Sequence, residues 1–219
     1  MAHTLHIRGV SLWVAHTPLV QDLSLTVAPG EVLTLMGPSG SGKSTLLGWM
    51  VGDVPAAVRA QGGLWLGERR LDTLPTEQRR VGILFQDDLL FAHLSVGQNL
   101  AFALPAHVRS KTERRARVAQ ALASVGLAGF DDRDPATLSG GQRARASLMR
   151  ALLAEPQALL LDEPFAKLDM ALRAQFRALV FRHVAERGIP TLLVTHDPAD
   201  VPQTGGVSGR VHPLEPPLV

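Results

Sequence analysis

Cysteine and tyrosine are absent from this sequence, and only three of its 22 basic residues are lysines. The absence of cysteine excludes disulfides and thiolate metal sites, and it favours a reducing cytoplasm as the compartment. No apolar run approaches the ~18 residues that a membrane-spanning helix needs, so no such helix is predicted. The N-terminal sequence Met1-Ala2-His3-Thr4 lacks a basic patch and an apolar stretch, which predicts no signal peptide.

The charge gives little reason to expect nucleic acid as a partner. The net charge is +2. The densest basic cluster, Arg114-Arg115-Ala116-Arg117, is typical of a solvated helix face. Hydrophobic residues make up 46% of the chain, which is ordinary for a globular core. We therefore expect a folded protein with no nucleic-acid partner.

Strand and helix patterns alternate at both ends of the chain, with a helical block between them. Continuous apolar runs of the kind found in buried parallel strands occur at residues 32–36, 81–85, 158–161 and 191–194. The alternation predicts an α/β core, and the block predicts a helical insertion at about residues 88–155.

Polar caps mark the starts of the predicted helices. Capping boxes begin helices at Ser95 and Ser110. Ser139 and Asp169 are the caps predicted for two further helices. After Gln203 the chain is rich in glycine and proline, and little regular structure is expected there.

A glycine-rich loop lies between the first apolar run and a helix that opens near Lys43. The loop and the residue after it read Gly37-Pro38-Ser39-Gly40-Ser41-Gly42-Lys43-Ser44-Thr45. This sequence fits the spacing G-x4-G-K-[ST] of phosphate-binding loops. Glycines let backbone N–H groups approach phosphate oxygens, and the helix adds the positive end of its dipole. Lys43 is predicted to reach the β- and γ-phosphates, and the Ser44 hydroxyl to ligate Mg²⁺. A chance glycine-rich turn is the alternative, and the strand before and helix after the loop count against it.

Two acids follow the third apolar run. That strand delivers Asp162 to its carboxyl end, where the carboxylate can hold Mg²⁺ through water, and Glu163 follows directly. Glu163 can polarise an attacking water as a general base. Many strands end in acidic turns, so the pair carries weight only together with the phosphate loop.

The segment Leu138-Ser139-Gly140-Gly141-Gln142 is the most diagnostic part of the sequence. It resembles in full the LSGGQ signature of the ABC (ATP-binding cassette) ATPases. A helix cap at Ser139 would not need Gly-Gly-Gln after it. In this family the exposed amides at Ser139, Gly140, Gly141 and Gln142 meet the γ-phosphate of ATP that the partner subunit holds.

Other landmarks of that family occur in the expected order. Gln86 resembles the glutamine that senses Mg²⁺ and couples to the membrane subunits, so the resemblance implies a catalytic and metal-binding role for it. His196 resembles the switch histidine that contacts the γ-phosphate, and Leu168-Asp169 resembles the end of the D-loop. Further blocks resemble one bacterial type within the family: residues 33–36, 63–66, 83–87, 95–100 and 134–138.

The resemblance covers about residues 5–201 and implies a P-loop NTPase (RecA-like) core, an N-terminal antiparallel β subdomain and a helical insertion. Its boundaries are a core at about residues 1–87 and 156–203, a helical subdomain at 88–155 and an irregular tail at 204–219. The implied ligands are ATP and Mg²⁺. The implied partners are a second copy in a head-to-tail, ATP-dependent homodimer, a membrane permease and a periplasmic solute-binding protein. The implied location is peripheral, on the cytoplasmic face of the inner membrane.

The sequence departs from the family pattern at two positions. Members of the family stack an aromatic residue, usually tyrosine, on adenine, and Trp13 and His16 are the nearest candidates here. Ala166 stands where the D-loop usually carries serine.

We interpret the chain as the ATPase of an importer, with residues 87–93 and Gln86 as the face that docks on the permease. The alternative is a single-cassette ATPase of a lipid or lipoprotein extrusion complex, or of cell division. Soluble ABC proteins that move DNA or ribosomes carry two cassettes, coiled coils or zinc modules, and none of these is found here.

Overall fold

The computed structural model describes residues 3–38, 40–202 and 209–214. Within them the chain forms two compact units. The first comprises residues 3–38, 40–83, 157–163, 181–202 and 209–214, and the second comprises residues 84–156 and 164–180. The second unit thus includes residues 84–87, 156 and 164–180, which the sequence-based boundaries assign to the core.

The strands, in chain order, are β1 (Leu5–Val14), β2 (Thr17–Val27), β3 (Val32–Met36), β4 (Val58–Leu66), β5 (Arg69–Arg70), β6 (Val81–Leu84), β7 (Ala158–Asp162), β8 (Thr191–Val194) and β9 (Gly209–Pro213). The helices are α1 (Lys43–Val51), α2 (Thr76–Arg79), α3 (Val96–Phe102), α4 (Lys111–Ser124), α5 (Gly140–Leu153) and α6 (Met170–Arg187). Short 3₁₀ turns occur at Pro135–Thr137 and Pro198–Asp200.

A five-stranded sheet in the order β6-β7-β8-β3-β9 forms the centre of the first unit. The pairs β7–β8, β8–β3 and β3–β9 are parallel. Strand β8 is buried throughout, and β3 and β7 are buried except for their last residues, which explains why all three read as apolar runs rather than as alternating patterns. Because neighbouring parallel strands end at the same edge, the loops after β3, β7 and β8 meet at one side of the sheet.

A second sheet in the first unit is antiparallel, in the order β2-β1-β4-β5. The consecutive residues Leu12 and Trp13 of β1 pair with Val20 and Pro18 of β2. Leu19 is therefore left without a partner in the ladder, which is the arrangement of a β-bulge.

The second unit is helical, and its helices begin where their caps predict. Ser95 and Ser139 each form a reciprocal capping box with the glutamine three residues on. At α4 the Ser110 hydroxyl accepts a bond from the Glu113 N–H, and Asp169 accepts one from the Leu172 N–H at the start of α6. These bonds occupy N–H groups that have no partner inside the helix.

The expectation of an irregular tail is wrong for residues 209–213, which form β9 at the edge of the parallel sheet. Glycine and proline in this segment are unfavourable for a strand, so the sequence does not predict one. The strand forms because it pairs with β3. The Leu214 N–H donates to the Met36 carbonyl (2.6 Å). A Cβ on Gly37 would lie 2.3 Å from the Leu214 oxygen, so the first loop glycine is needed for this close approach. Residues 204–208 and 215–219 of the predicted tail lie outside the described residues.

None of the helices among the described residues is both long and apolar enough to cross a bilayer.

Candidate active site

The phosphate-binding loop connects β3 to α1 in the first unit. Gly40 and Gly42 have φ angles of +83° and +85°, which glycine adopts without strain. The buried Lys43 amine donates to the Gly37 and Pro38 carbonyls (both 2.7 Å) and lies 3.2 Å from the Ser41 hydroxyl. The loop's own oxygens therefore hold the ammonium in place at the start of the helix. The predicted site residue Ser39 lies outside the described residues.

Ser44 and Asp162 are brought together from α1 and β7. The Ser44 hydroxyl lies 3.4 Å from Asp162 Oδ1. Burial raises the pKa of Asp162, and the neighbouring Glu163 charge adds to the rise, while the Ser44 hydrogen bond and the Lys43 charge oppose it. A hydroxyl and a carboxylate are the oxygen ligands that suit Mg²⁺ when phosphates and water supply the rest. The described residues contain no group of three His, Cys, Asp or Glu side chains placed to bind a metal.

Glu163 and His196 lie at the ends of neighbouring strands. Glu163 has a φ of +45°, and its N–H donates to the Val194 carbonyl at the end of β8 (2.9 Å). The His196 Nδ1 lies 3.0 Å from Glu163 Oε2. Thr195, just before the histidine, is buried and donates its hydroxyl to Asp200 (2.8 Å). The β7 and β8 termini thus place a carboxylate and an imidazole in direct contact.

An open cavity of about 280 Å³ is lined by Leu19, Gly40, Gly42, Lys43, Ser44, Thr45, Glu163 and Val194. Leu19 was not predicted from the sequence as a site residue. A Cβ on Gly42 would lie 3.1 Å from the Leu19 Cβ, so the bulge residue packs directly against the phosphate loop. A loss of strict alternation near Pro18 was the only signal that could have found it.

The two candidates for base stacking differ in their surroundings. Trp13 is half-buried in β1, where it pairs with Arg59 and Pro18, and His16 is exposed in the turn that follows β1. Neither lines the cavity described above.

The signature segment lies in the second unit, at the start of α5. Ser139 and Gly140 are exposed, whereas Gly141 is buried. The Ser139 hydroxyl accepts from the Gln142 N–H (3.3 Å), and the Gln142 side chain accepts from the Ser139 N–H (2.9 Å). The capping box thus occupies the Ser139 and Gln142 N–H groups, and the exposed part of this helix N-terminus is at Ser139 and Gly140.

Residues 87–93, which we term the docking segment, follow the exposed Gln86 in the second unit. Leu89 is 55% exposed and Phe91 37% exposed. The Phe91 ring lies edge-on to Phe102, which is 70% exposed, with ring centroids 5.1 Å apart. The helices of this unit cover Phe91 in part, through Phe102 and the Arg150 guanidinium, and leave more than half of Leu89 and of Phe102 exposed.

The parallel sheet with a phosphate-binding loop at its edge, together with the capped glycine-rich signature, defines a class: ATPases of the ABC type. Residues 20–166 match the family ABC transporter, and the chain belongs to that family. It is an ATP-binding subunit and an ATPase of this class.

Individual relatives show which members of the family the chain is similar to. The chain is 54% identical over 201 residues to the uncharacterized ABC transporter ATP-binding protein YnjD of Escherichia coli K12, covering 92% of each chain. This likeness confirms the bacterial type to which the further sequence blocks pointed. The chain is 48% identical over 176 residues to the thiamine import ATP-binding protein ThiQ of Cereibacter sphaeroides, covering 80% of this chain and 74% of the relative. It is 41% identical over 205 residues to the sulfate/thiosulfate import ATP-binding protein CysA of Gloeobacter violaceus, covering 91% of this chain but only 58% of the relative.

Proposed function

We propose that this chain powers an importer, as a peripheral subunit on the cytoplasmic face of the inner membrane that works with a permease and a periplasmic solute-binding protein. The names of its relatives ThiQ and CysA support import. The observation that carries the proposed chemistry is the convergence of Lys43, Ser44, Asp162, Glu163 and His196 at one edge of the parallel sheet. In this proposal the first unit corresponds to the P-loop core with its antiparallel β subdomain, and the second contains the helical insertion.

In the proposed reaction, water attacks the γ-phosphorus of ATP and the bond to the β-phosphate oxygen breaks, which yields ADP and phosphate. Glu163 accepts the proton of the attacking water, and His196 keeps the carboxylate oriented while contacting the γ-phosphate. Backbone N–H groups of the phosphate-binding loop and the Lys43 ammonium stabilise the charge on the transferred group. Ser44 and Asp162 would hold Mg²⁺, and the ion when bound neutralises charge on the phosphates.

We further propose that the signature acts on ATP held by a second copy of the chain. Ser139 and Gly140 are exposed at the start of α5, where an anion from outside the chain can approach the helix N-terminus. In a head-to-tail homodimer, each of two ATP molecules would lie between the phosphate loop of one copy and the signature of the other.

The docking segment is proposed to contact the permease. Leu89, Phe91 and Phe102 together expose large apolar side chains on a surface where an isolated chain gains nothing from them. Because the chain has no cysteine, single cysteines introduced at residues 87–93 give unambiguous cross-links.

Those cross-links provide the test of function. Membranes carrying single-cysteine variants should yield adducts with an integral membrane protein, and identification of that protein from the adduct decides the transport direction. A permease whose partners include a periplasmic solute-binding protein supports import. A lipid-extrusion or cell-division protein in the adduct would replace this proposal with the alternative, and no adduct at any of the seven positions would contradict docking through this segment.

A further inference from the structure

One face of α5 is hydrogen-bonded to the beginning of the docking segment. Arg143, Ser147 and Arg150 are spaced by four and three residues and so lie on one side of the helix. The Ser147 hydroxyl donates to the Asp88 carbonyl, and the Arg150 guanidinium donates to the Leu89 carbonyl, both at 2.8 Å. All of these residues belong to the second unit.

Arg143 connects Asp88 to the main chain just before the signature serine. Its Nε donates to Asp88 Oδ2 at 3.1 Å, and its Nη1 donates to the Leu138 carbonyl at 2.6 Å. Leu138 immediately precedes Ser139, the cap of α5. A guanidinium is planar and its donors point in fixed directions, so the carboxylate and the carbonyl are held in one geometry.

The Asp88 carboxylate of this link has both favourable and unfavourable surroundings. Burial raises the pKa of Asp88 and the neighbouring Asp87 charge adds to the rise, while the hydrogen bond to Arg143 and the nearby Lys167 charge oppose it. Lys167 itself forms an ion pair with Asp87, the neighbouring residue of the docking segment. Lys167 also precedes Leu168-Asp169, so the docking segment is tied both to the signature helix and to the segment before α6.

We infer that Arg143 is a positioning residue that fixes Ser139 and the start of α5 relative to Asp88, so that the docking segment and the signature move together. The inference rests on the proposed function, in which Ser139 contacts a nucleotide bound by a second copy of the chain. In this inference Arg143 is assigned no contact of its own with the nucleotide. Its effect is transmitted through Leu138.

The test uses the full chain in a Glu163→Gln background, so that bound ATP is not consumed. The ATP concentration at half-maximal dimerisation is measured by sedimentation with Mg²⁺ present, and monomer affinity for a fluorescent ATP analogue is measured at low protein concentration. The variants are Arg143→Gln, the isosteric Asp88→Asn, the two together, and Arg143→Lys. Arg117→Gln is the matched control, because Arg117 also forms ion pairs within the second unit and its side chain is 36% exposed against 38% for Arg143.

If Arg143 positions the signature, Arg143→Gln and Asp88→Asn should each raise the ATP midpoint by about five- to tenfold, the size expected for a residue that modulates coupling between sites. Monomer affinity for the analogue should stay unchanged, and the double variant should be no worse than the more affected single variant. Arg143→Lys should remain impaired, because a point charge cannot bridge both acceptors. Arg117→Gln should leave the midpoint unchanged.

Equal midpoints for Arg143→Gln and Arg117→Gln would overturn the inference, as would full additivity of Arg143→Gln and Asp88→Asn. Full recovery in Arg143→Lys would reduce the role of Arg143 to charge alone and would also overturn it. The variant Ser139→Arg distinguishes a failure of this inference from a failure of the proposed dimer. If Ser139→Arg blocks dimerisation while Arg143→Gln does not shift it, only this inference fails. If Ser139→Arg still dimerises on ATP, the proposed dimer itself fails.

Discussion

The His196 imidazole and the Glu163 carboxylate touch, with Nδ1 and Oε2 3.0 Å apart, although they come from the ends of different strands. The contact fixes the direction of a carboxylate that stands on a backbone with positive φ. It joins the group proposed to accept a proton to the group proposed to contact the γ-phosphate.

Glu163→Gln is therefore expected to retain ATP binding and to lower the turnover number by about 10²- to 10⁴-fold, because an amide cannot accept the proton of the attacking water. His196→Ala should lower turnover by less, since it removes only the orientation of the base and one phosphate contact. Steady-state phosphate release and equilibrium binding of ATP measure the two effects separately. Turnover within a few-fold of the unaltered chain in Glu163→Gln would remove this residue as the base.

Lys43→Ala should weaken binding of a non-hydrolysable ATP analogue by about 10- to 100-fold, the loss expected when a charge-assisted contact is removed. Lys111→Ala is the control, because Lys111 is an exposed lysine at the start of α4. Calorimetric titration of both variants gives the comparison. Similar affinities for the two would contradict the assignment of the phosphate site.

Arg79 is predicted to be a stability determinant, although it lies outside the proposed chemistry. It is buried without an acidic partner in hydrogen-bond range among the described residues, and its guanidinium donates to four main-chain carbonyls, those of Trp49 (2.7 Å), Met50 (3.1 Å), Asp72 (3.0 Å) and Leu74 (2.8 Å). Trp49 and Met50 belong to the last turn of α1, where a positive charge is favourable.

Arg79→Met should lower the free energy of unfolding by about 2–4 kcal/mol, because buried carbonyls lose their donor. Arg80→Met is the neighbouring control, since Arg80 is exposed. Urea unfolding of both variants measures the difference. A loss at Arg79 no larger than at Arg80 would show that water replaces the guanidinium without cost.

The stability of the chain should fall in acid partly through Glu31. This buried carboxylate accepts from the Ala28 N–H (2.7 Å) and pairs with Arg210 of β9. Burial alone would raise the pKa of Glu31, but the Arg210 and Ala28 hydrogen bonds outweigh it and hold the pKa below its ordinary value.

Because the folded-state pKa is lowered, the stabilisation is fully present above the ordinary value of about 4.3 and is lost as the pH falls through the folded pKa. The difference in unfolding free energy between the unaltered chain and Glu31→Gln should therefore be constant from pH 7 to about pH 5 and shrink below that. Urea unfolding at several pH values tests this, with the exposed Glu68→Gln as the control. A difference that does not depend on pH would contradict the linkage.

The proposed dimer gives the last prediction. The Glu163→Gln chain should sediment as a monomer without nucleotide and as a dimer with ATP, and adding Ser139→Arg should prevent the shift, because bulk and charge would fill the site of the γ-phosphate. Ala136→Arg is a suitable control, since Ala136 is also exposed and lies just before the signature. A Glu163→Gln, Ser139→Arg chain that dimerises as readily as the control would place the signature outside the interface.

The sequence by itself determined the parts of this protein that depend on contiguous residues. The phosphate loop, the acids Asp162 and Glu163, the capped signature at Ser139 and the buried strands could all be predicted, because a loop, a strand end or a helix cap is specified within a few residues. Only the tertiary structure decided which distant groups meet. Four contacts join segments that are far apart in the chain. They are the packing of Leu19 in the β-bulge against Gly42, the capping of α1 by Arg79, the pairing of β9 with β3, and the bridge from Asp88 through Arg143 to Leu138. Such contacts depend on strand register and on the directions in which side chains leave their helices, and local sequence patterns carry neither.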